Sequence, residues 1–274
     1  MKLQKVIQRL QKLHKKKIDL SLDRTFKLLQ KLGNPQDKLE NVISVVGTNS
    51  KYSMIQSFQS ILNQAGYKCN LYTSPHLQSY SERYIYDDKE IDEDNLADLL
   101  EDIEKINGSD NLSEFEALTC AYLKYCEQYK DNITFMEAGL LHQYDSCSVF
   151  KSNLCTLLGS ISIDHLSWIE NKTIDGIKNK KATKLLNSKI FVNKQDNKEI
   201  IKKIKNALKE NKSKKYFYGE NFNYLRAENN FIQYEDSMGS LILPEPNILG
   251  EHQLANISTA IMAARNIFNI KDEH

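Results

Sequence analysis

Four short stretches of the 274-residue chain carry the groups that could do chemistry, and each follows or closes an apolar run. The first is Gly47-Thr48-Asn49-Ser50-Lys51-Tyr52-Ser53, after "VISVV". The second is Thr73-Ser74-Pro75-His76, after "CNLY". Glu137 ends "NITFME", with Asp145 in the loop beyond, and Asp164-His165 ends "SISIDH". Ligands of open α/β sheets collect at the carboxyl ends of the strands. Amides, hydroxyls, a lysine, carboxylates and an imidazole at four such ends suit a nucleotide-and-metal site.

A phosphate loop works by aiming successive N–H groups and a lysine at phosphate oxygens, with the next helix presenting its positive end. "GTNSKYS" keeps the first glycine, the lysine and a following serine. It has Ser50 where close backbone approach favours glycine, and the bulky Tyr52 after Lys51. Alone it reads equally as a phosphate loop or as a strand–helix turn with a solvated lysine. A lone carboxylate at the end of an apolar strand is costly. Glu137 therefore needs a cation, Mg²⁺ by default beside phosphates, or an ion pair with Lys51 or Lys181. His165, ending a strand, reads as a ligand. His76, after Pro75, reads as a substrate contact or a merely polar residue. His252, opening a helix after Gly250, reads as a cap or a nucleotide contact. His14, His142 and His274 read as surface residues.

The elements that must position these groups follow from periodicity and turn residues. Residues 3–13 and 22–32 read as amphipathic helices, the second with Leu20, Phe26, Leu28, Leu29 and Leu32 on one side and Gly33-Asn34-Pro35 as its stop. A strand at Val42–Val46, the loop and a helix to about Ala65 lead into "YKCNLYTSPH", a second, parallel strand. Residues 91–107 and 113–129 read as helices. "NITFMEAG", a longer "SNLCTLLGSISIDH" and "SKIFVNK" read as strands, with a helix at "TIDGIKNKKATKLL". This alternation predicts an α/β fold, a mostly parallel P-loop-type sheet flanked by helices. Near residues 215–246, aromatics and turns at Gly219, Glu228-Asn229-Asn230 and Met238-Gly239 predict a small antiparallel β extension appended to it. "GEHQLANISTAIMAARNIF" reads as a closing helix with a small-residue face.

The net charge of +1 gives no general pull toward nucleic acid or membrane. Cys69, Cys120, Cys126, Cys147 and Cys155 are odd in number and lack C-x-x-C spacing, so buried free thiols are expected. The start has no uninterrupted apolar core, and no run is long enough to cross a bilayer, so the expected compartment is the cytosol.

The same stretches resemble the folylpolyglutamate synthase / dihydrofolate synthase family, a branch of the Mur ligase superfamily. "KKIDLSLDRTFKLLQKLGNPQDKLENVISVVGTNSK" resembles the family's opening, with its L-G-N-P helix end and G-T-N-G-K-G-S loop. "GYKCNLYTSPHLQSYSERY" is similar to its T-S-P-H-L…E-R segment, and "FEALTCAYLKYC" to its F-E-x-L-T-x-A helix. "MEAGLLHQYDS" resembles E-V-G-L-G-G-x-x-D-A, and "SISIDH" resembles I-x-x-D-H. "IKNKKATKL" is similar to the segment with a lysine that the family carbamylates, and "GEHQLANISTAIMAA" to G-x-H-Q-x-x-N-A-x-x-A.

The resemblance implies an ATP- and Mg²⁺-dependent ligase that adds L-glutamate to dihydropteroate or a folate through an acyl phosphate. It implies that Lys51 and the backbone of Gly47, Thr48, Asn49, Ser50, Tyr52 and Ser53 cradle ATP, with His252, Gln253 and Asn256 near the nucleotide. It implies Ser74, Glu137 and His165 on Mg²⁺, and Lys181, once carbamylated, on a second metal; Lys51, His165 and Lys181 are the catalytic set. The loop of Thr73, Ser74, Pro75, His76, Glu82 and Arg83 would face the pterin. Residues 1–274 would be the N-terminal and central ATP-binding domain, opening with a helical segment at 1–36, with the family's C-terminal domain absent. A monomer that needs neither nucleic acid nor membrane is expected. Ser50, Tyr52, the lost glycines near Leu141 and His142, and the missing domain leave an alternative: an impaired, non-enzymatic homologue that retains only nucleotide or folate binding.

Overall fold

The computed structural model describes residues 2–13, 21–139, 144–162, 185, 186 and 188–273. Among these residues the helices, in chain order, are α1 Lys2–Leu10, α2 Asp23–Lys31, α3 Lys51–Gln64, α4 Glu93–Asn107, α5 Glu114–Cys126, α6 Lys198–Ala207 and α7 Glu251–Ile267. The strands are β1 Val42–Val46, β2 Cys69–Tyr72, β3 Tyr84–Tyr86, β4 Lys89–Glu90, β5 Ile133–Glu137, β6 Cys155–Leu158, β7 Lys189–Val192, β8 Lys215–Phe217, β9 Phe222–Arg226, β10 Phe231–Asp236 and β11 Gly239–Pro244. Two compact units form: Met1–Val42 with Lys68–Lys151, and Ile43–Tyr67 with Ser152–His274.

In the first unit β2 pairs parallel with β5, while β3 and β4 add antiparallel to β2. α1 buries Leu3, Val6, Ile7 and Leu10, the i, i+3, i+4, i+7 pattern of one helix face. α2 buries Thr25, Leu28 and Leu29; Phe26 lies outside that stripe and stays exposed, against expectation. The L-G-N-P stop is a Schellman end: Asn34 N donates to Leu29 O and Gly33 N to Gln30 O, with both residues at positive φ. α5 starts with a capping box, Ser113 with Glu116, and Glu116 also receives the Arg24 guanidinium. Tyr72, Tyr84, Tyr86 and Tyr122 fill the core as an aromatic cluster, with the Tyr84 hydroxyl donating to Leu118 O at 2.9 Å.

In the second unit β1, β6, β7 and β8 are parallel in that order. Every residue of β1 and β6 is buried, as strands covered on both faces require. α3 and α7 pack together, and the small residues Ala255, Ser258, Ala260, Ala263 and Ala264 on α7 permit close approach. Two expectations change. Residues 215–217 join the parallel sheet as β8, and the antiparallel strands β9, β10 and β11 form a separate sheet. That sheet does not extend the first because its inward residues Tyr224 and Ile232 pack on Leu254 and Ala255 of α7. The strand expected to run to Asp164 ends at Leu158, because the backbone groups of residues 160–162 bond to Thr48, Asn49 and the Gln195 side chain rather than to a neighbouring strand. The architecture is otherwise the expected one, mostly parallel strands with flanking helices and a small antiparallel sheet. Among the described residues no helix is long and apolar enough to cross a membrane. All five cysteines are buried and free, and burial raises their pKa values.

Candidate functional site

The candidate residues fall in both units. In the second, the chain leaves β1 at Gly47 and enters α3 at Lys51. Gly47 and Gly159 face each other: a Cβ on Gly47 would meet Gly159 Cα at 3.0 Å, and one on Gly159 would meet Asn49 O at 2.5 Å. This close approach lets Thr48 N and Asn49 N donate to Ser160 O at 2.9 and 3.3 Å. Thr48 Oγ1 donates to Ser162 O at 3.3 Å and accepts from Ser162 N at 3.2 Å, and Asn49 Nδ2 donates to Ser162 Oγ at 3.2 Å. Ser50 takes the left-handed φ of 74° that its place in the motif demands, a conformation its Cβ resists. The first intrahelical bond of α3 is Met54 N to Ser50 O at 2.9 Å. The amides of residues 51–53 precede it and sit at the positive end of the helix, where an anion is favoured. The Lys51 side chain is not extended into solvent: its Nζ donates to Thr48 O at 3.3 Å, back over the loop. Tyr52 is 57% exposed.

At the head of α7, His252 is exposed and its ring folds over Gly250. Gln253 is half-buried and Asn256 buried. Asn256 Oδ1 accepts from Asn193 Nδ2 at 2.7 Å, and its Nδ2 donates to Gln253 Oε1 at 2.9 Å. The sequence reading missed Asn193 and Gln195, which follow β7 directly. The signal was available: "VNKQ" puts two amides at the carboxyl end of an apolar strand, the rule that selected the other four ends.

In the first unit, Glu137 ends β5 at 3% exposure, and its Oε2 accepts from Ser74 N at 2.9 Å. The carboxylate expected at a buried strand end is there, beside the expected serine. Thr73 is buried, and Pro75 follows Ser74 through a cis peptide. Asp145 is also buried, with Oδ1 accepting from Cys147 N at 2.9 Å. The loop after Ser74 is organised by Glu82, whose carboxylate accepts from the amides of Leu77, Gln78 and Ser79 at 2.7, 2.7 and 2.8 Å. Those three bonds hold the Glu82 carboxyl below the usual carboxylate range. His76 Nδ1 accepts from Arg83 Nε at 2.9 Å, and its ring packs on Tyr80, over which the Arg83 guanidinium also lies. Partial burial, then the Arg83 charge, lowers the His76 pKa. Burial, then the bond to Glu114, pushes the Tyr80 hydroxyl up to about 12.

Asp164, His165 and Lys181 lie outside the described residues. Among the described residues no group of three or more His, Cys, Asp or Glu could by itself hold a metal.

No family model matches the chain. It is 34% identical over 169 residues to the dihydrofolate synthetase of Saccharomyces cerevisiae, covering 60% of this chain and 39% of that protein. It is 28% identical over 278 residues to the dihydrofolate synthase/folylpolyglutamate synthase of Bacillus subtilis, covering 92% of this chain and 62% of that one. The solved structure of E. coli FolC in complex with DHPP and ADP superposes with a TM-score of 0.85 at 25% identity, covering 99% of this chain and 64% of that one. The chain thus spans about two fifths of the length of the yeast relative and less than two thirds of the other two. The family resemblance carried by the motifs is borne out by these relatives.

Proposed function

We infer that this chain of the folylpolyglutamate synthase / dihydrofolate synthase family is the nucleotide-handling part of an ATP-dependent amide ligase, which joins L-glutamate to dihydropteroate or a folate. The observation that carries the reading is the loop at the head of α3, shaped by two facing glycines and tied down by residues 160 and 162. ATP lies with its phosphates against the loop from Gly47 to Ser53, Lys51 supplying the charge and the helix head the amides. The terminal phosphoryl group passes to the acceptor carboxylate. The glutamate amine then attacks the acyl phosphate, giving an amide, ADP and phosphate. Such a transfer asks the protein mainly for positioning and charge neutralisation.

An oxygen donor set built from Ser74 and the buried Glu137 fits a hard cation. These two would hold Mg²⁺ together with His165, and Lys181, carbamylated, would hold a second ion. Bound metal would offset charge on the phosphates. The acceptor's pterin faces the Ser74–Arg83 loop. Arg83 occupies His76 Nδ1, so the neutral ring, favoured by its lowered pKa, offers Nε2–H as a donor. At the head of α7, His252 is the exposed side chain beside the nucleotide, while Asn256 acts through the partners that hold it. Buried free thiols suit a reducing compartment such as the cytosol. The reading takes the protein as a monomer and needs no nucleic acid or membrane.

The test is glutamate-dependent ADP release with dihydropteroate and, separately, tetrahydrofolate. Release that requires both glutamate and one acceptor is expected. No release with either, from folded protein, overturns the reading.

A further inference from the structure

Gln195 is buried just past the end of β7, and its amide is engaged at both ends. Oε1 accepts from Ile161 N at 3.0 Å, while Nε2 donates to Gly159 O at 3.2 Å and to Asn193 O at 2.8 Å. The first two contacts bracket Ser160, whose carbonyl receives the Thr48 and Asn49 amides. Two residues back, Asn193 Nδ2 donates to Asn256 Oδ1 at 2.7 Å, and Asn193 Oδ1 accepts from Thr259 Oγ1 at 3.1 Å. Asn256 passes the chain on to Gln253. A run of mostly buried amides therefore links the loop at the head of α3 to the first turns of α7.

We propose that Gln195 is a positioning residue for the phosphate loop, and that with Asn193 it holds the loop and the head of α7 as one nucleotide-binding frame. The inference rests on the reading that the loop binds nucleotide. Residue chemistry limits the choice at this position. One acceptor and two donor hydrogens must be presented by one side chain, which a primary amide does and an ionised carboxylate does not. The frame also has a task. Ser50 is held in a strained conformation, and such strain persists only where the surroundings over-determine it. The loop bonds outward to residues 160 and 162, so whatever fixes 159–161 fixes the loop.

The test is Gln195→Glu, followed by MgATP titration calorimetry and amide hydrogen exchange from pH 8 to pH 6. At pH 8 the carboxylate confronts Gly159 O and Asn193 O with no donor, and MgATP binding weakens about tenfold relative to wild type. A carboxyl buried among carbonyls has a raised pKa and regains an O–H on protonation. The affinity ratio of wild type to variant therefore shrinks as pH falls, a signature that general destabilisation does not produce. At pH 8 the Thr48 and Asn49 amides exchange faster in the variant, while the amides of α6 keep wild-type rates. Equal affinity and equal exchange overturn the proposal, as does faster exchange spread evenly over the second unit. Should the wild type bind no MgATP, the nucleotide reading fails, and exchange at Thr48 and Asn49 alone decides for or against the tether.

Discussion

The two loops that carry the candidate ligand groups are held in opposite ways. The loop after Ser74 is closed from within: Glu82 gathers three amides that lie three to five residues before it. The loop after Gly47 is closed from without, by serines 110 to 114 positions further along the chain. The first draws its turn from its own sequence and is anchored to distant chain at Ser74 and Tyr80, through Glu137 and Glu114. The second takes shape only when β6 is already beside β1, because Ser160 and Ser162 leave the end of β6. A locally closed loop suits a surface that adapts to different acceptors. A loop braced by distant chain suits a rigid cradle for a charge that must not move.

That contrast can be broken at three places. Gly159→Ala strikes the outer brace hardest: the new Cβ would lie 2.5 Å from the Asn49 carbonyl, a backbone atom that cannot swing away. A loss of about 1–3 kcal/mol in denaturant unfolding is expected, with weaker nucleotide binding. Unchanged stability would mean the loop is not pinned against residue 159. Ser50→Gly should act in the other direction. It relieves the left-handed strain at φ 74° and sacrifices only a 3.4 Å hydroxyl contact with Ser160. A gain of about 1 kcal/mol is expected; a loss would show that the hydroxyl contact outweighs the strain.

Glu82→Gln should have the smallest and most local effect, seen as faster exchange of the Leu77, Gln78 and Ser79 amides. Its pH dependence follows from the lowered pKa of Glu82. A carboxyl depressed by folding stabilises above its unfolded value and loses that contribution as pH falls through its folded value. The difference in protection between wild type and Glu82→Gln should therefore be full at neutral pH. It should fade only below the ordinary glutamate value of 4.5. A difference that persisted at lower pH would remove the carboxylate as its cause.

The same contrast explains what the sequence disclosed. The Ser79-x-x-Glu82 box and the Schellman stop at Gly33-Asn34 are local devices, and their residues stand side by side in the chain. Glu137 was legible because a carboxylate closing an apolar strand demands a partner. The early end of β6 was not, since "CTLLGSIS" continues to look apolar and extended while its last backbone bonds are claimed by a loop over a hundred residues earlier and by Gln195. Residues 215–217 look like the strands that follow them, and only their partner, β7, makes them parallel. Gln195 was legible by its place, in "VNKQ" at the end of an apolar strand, but its partners Gly159 and Ile161 stand more than thirty residues earlier, and only the fold brings them to it.

On the proposed reading the loop at the head of α3 holds a nucleotide's phosphates, with Lys51 folded over it. Calorimetric titration of wild type and Lys51→Ala with MgATP tests it most directly. Saturable binding by wild type and a loss of at least about tenfold on removing the ammonium group are expected. Equal affinity in the two proteins would contradict it.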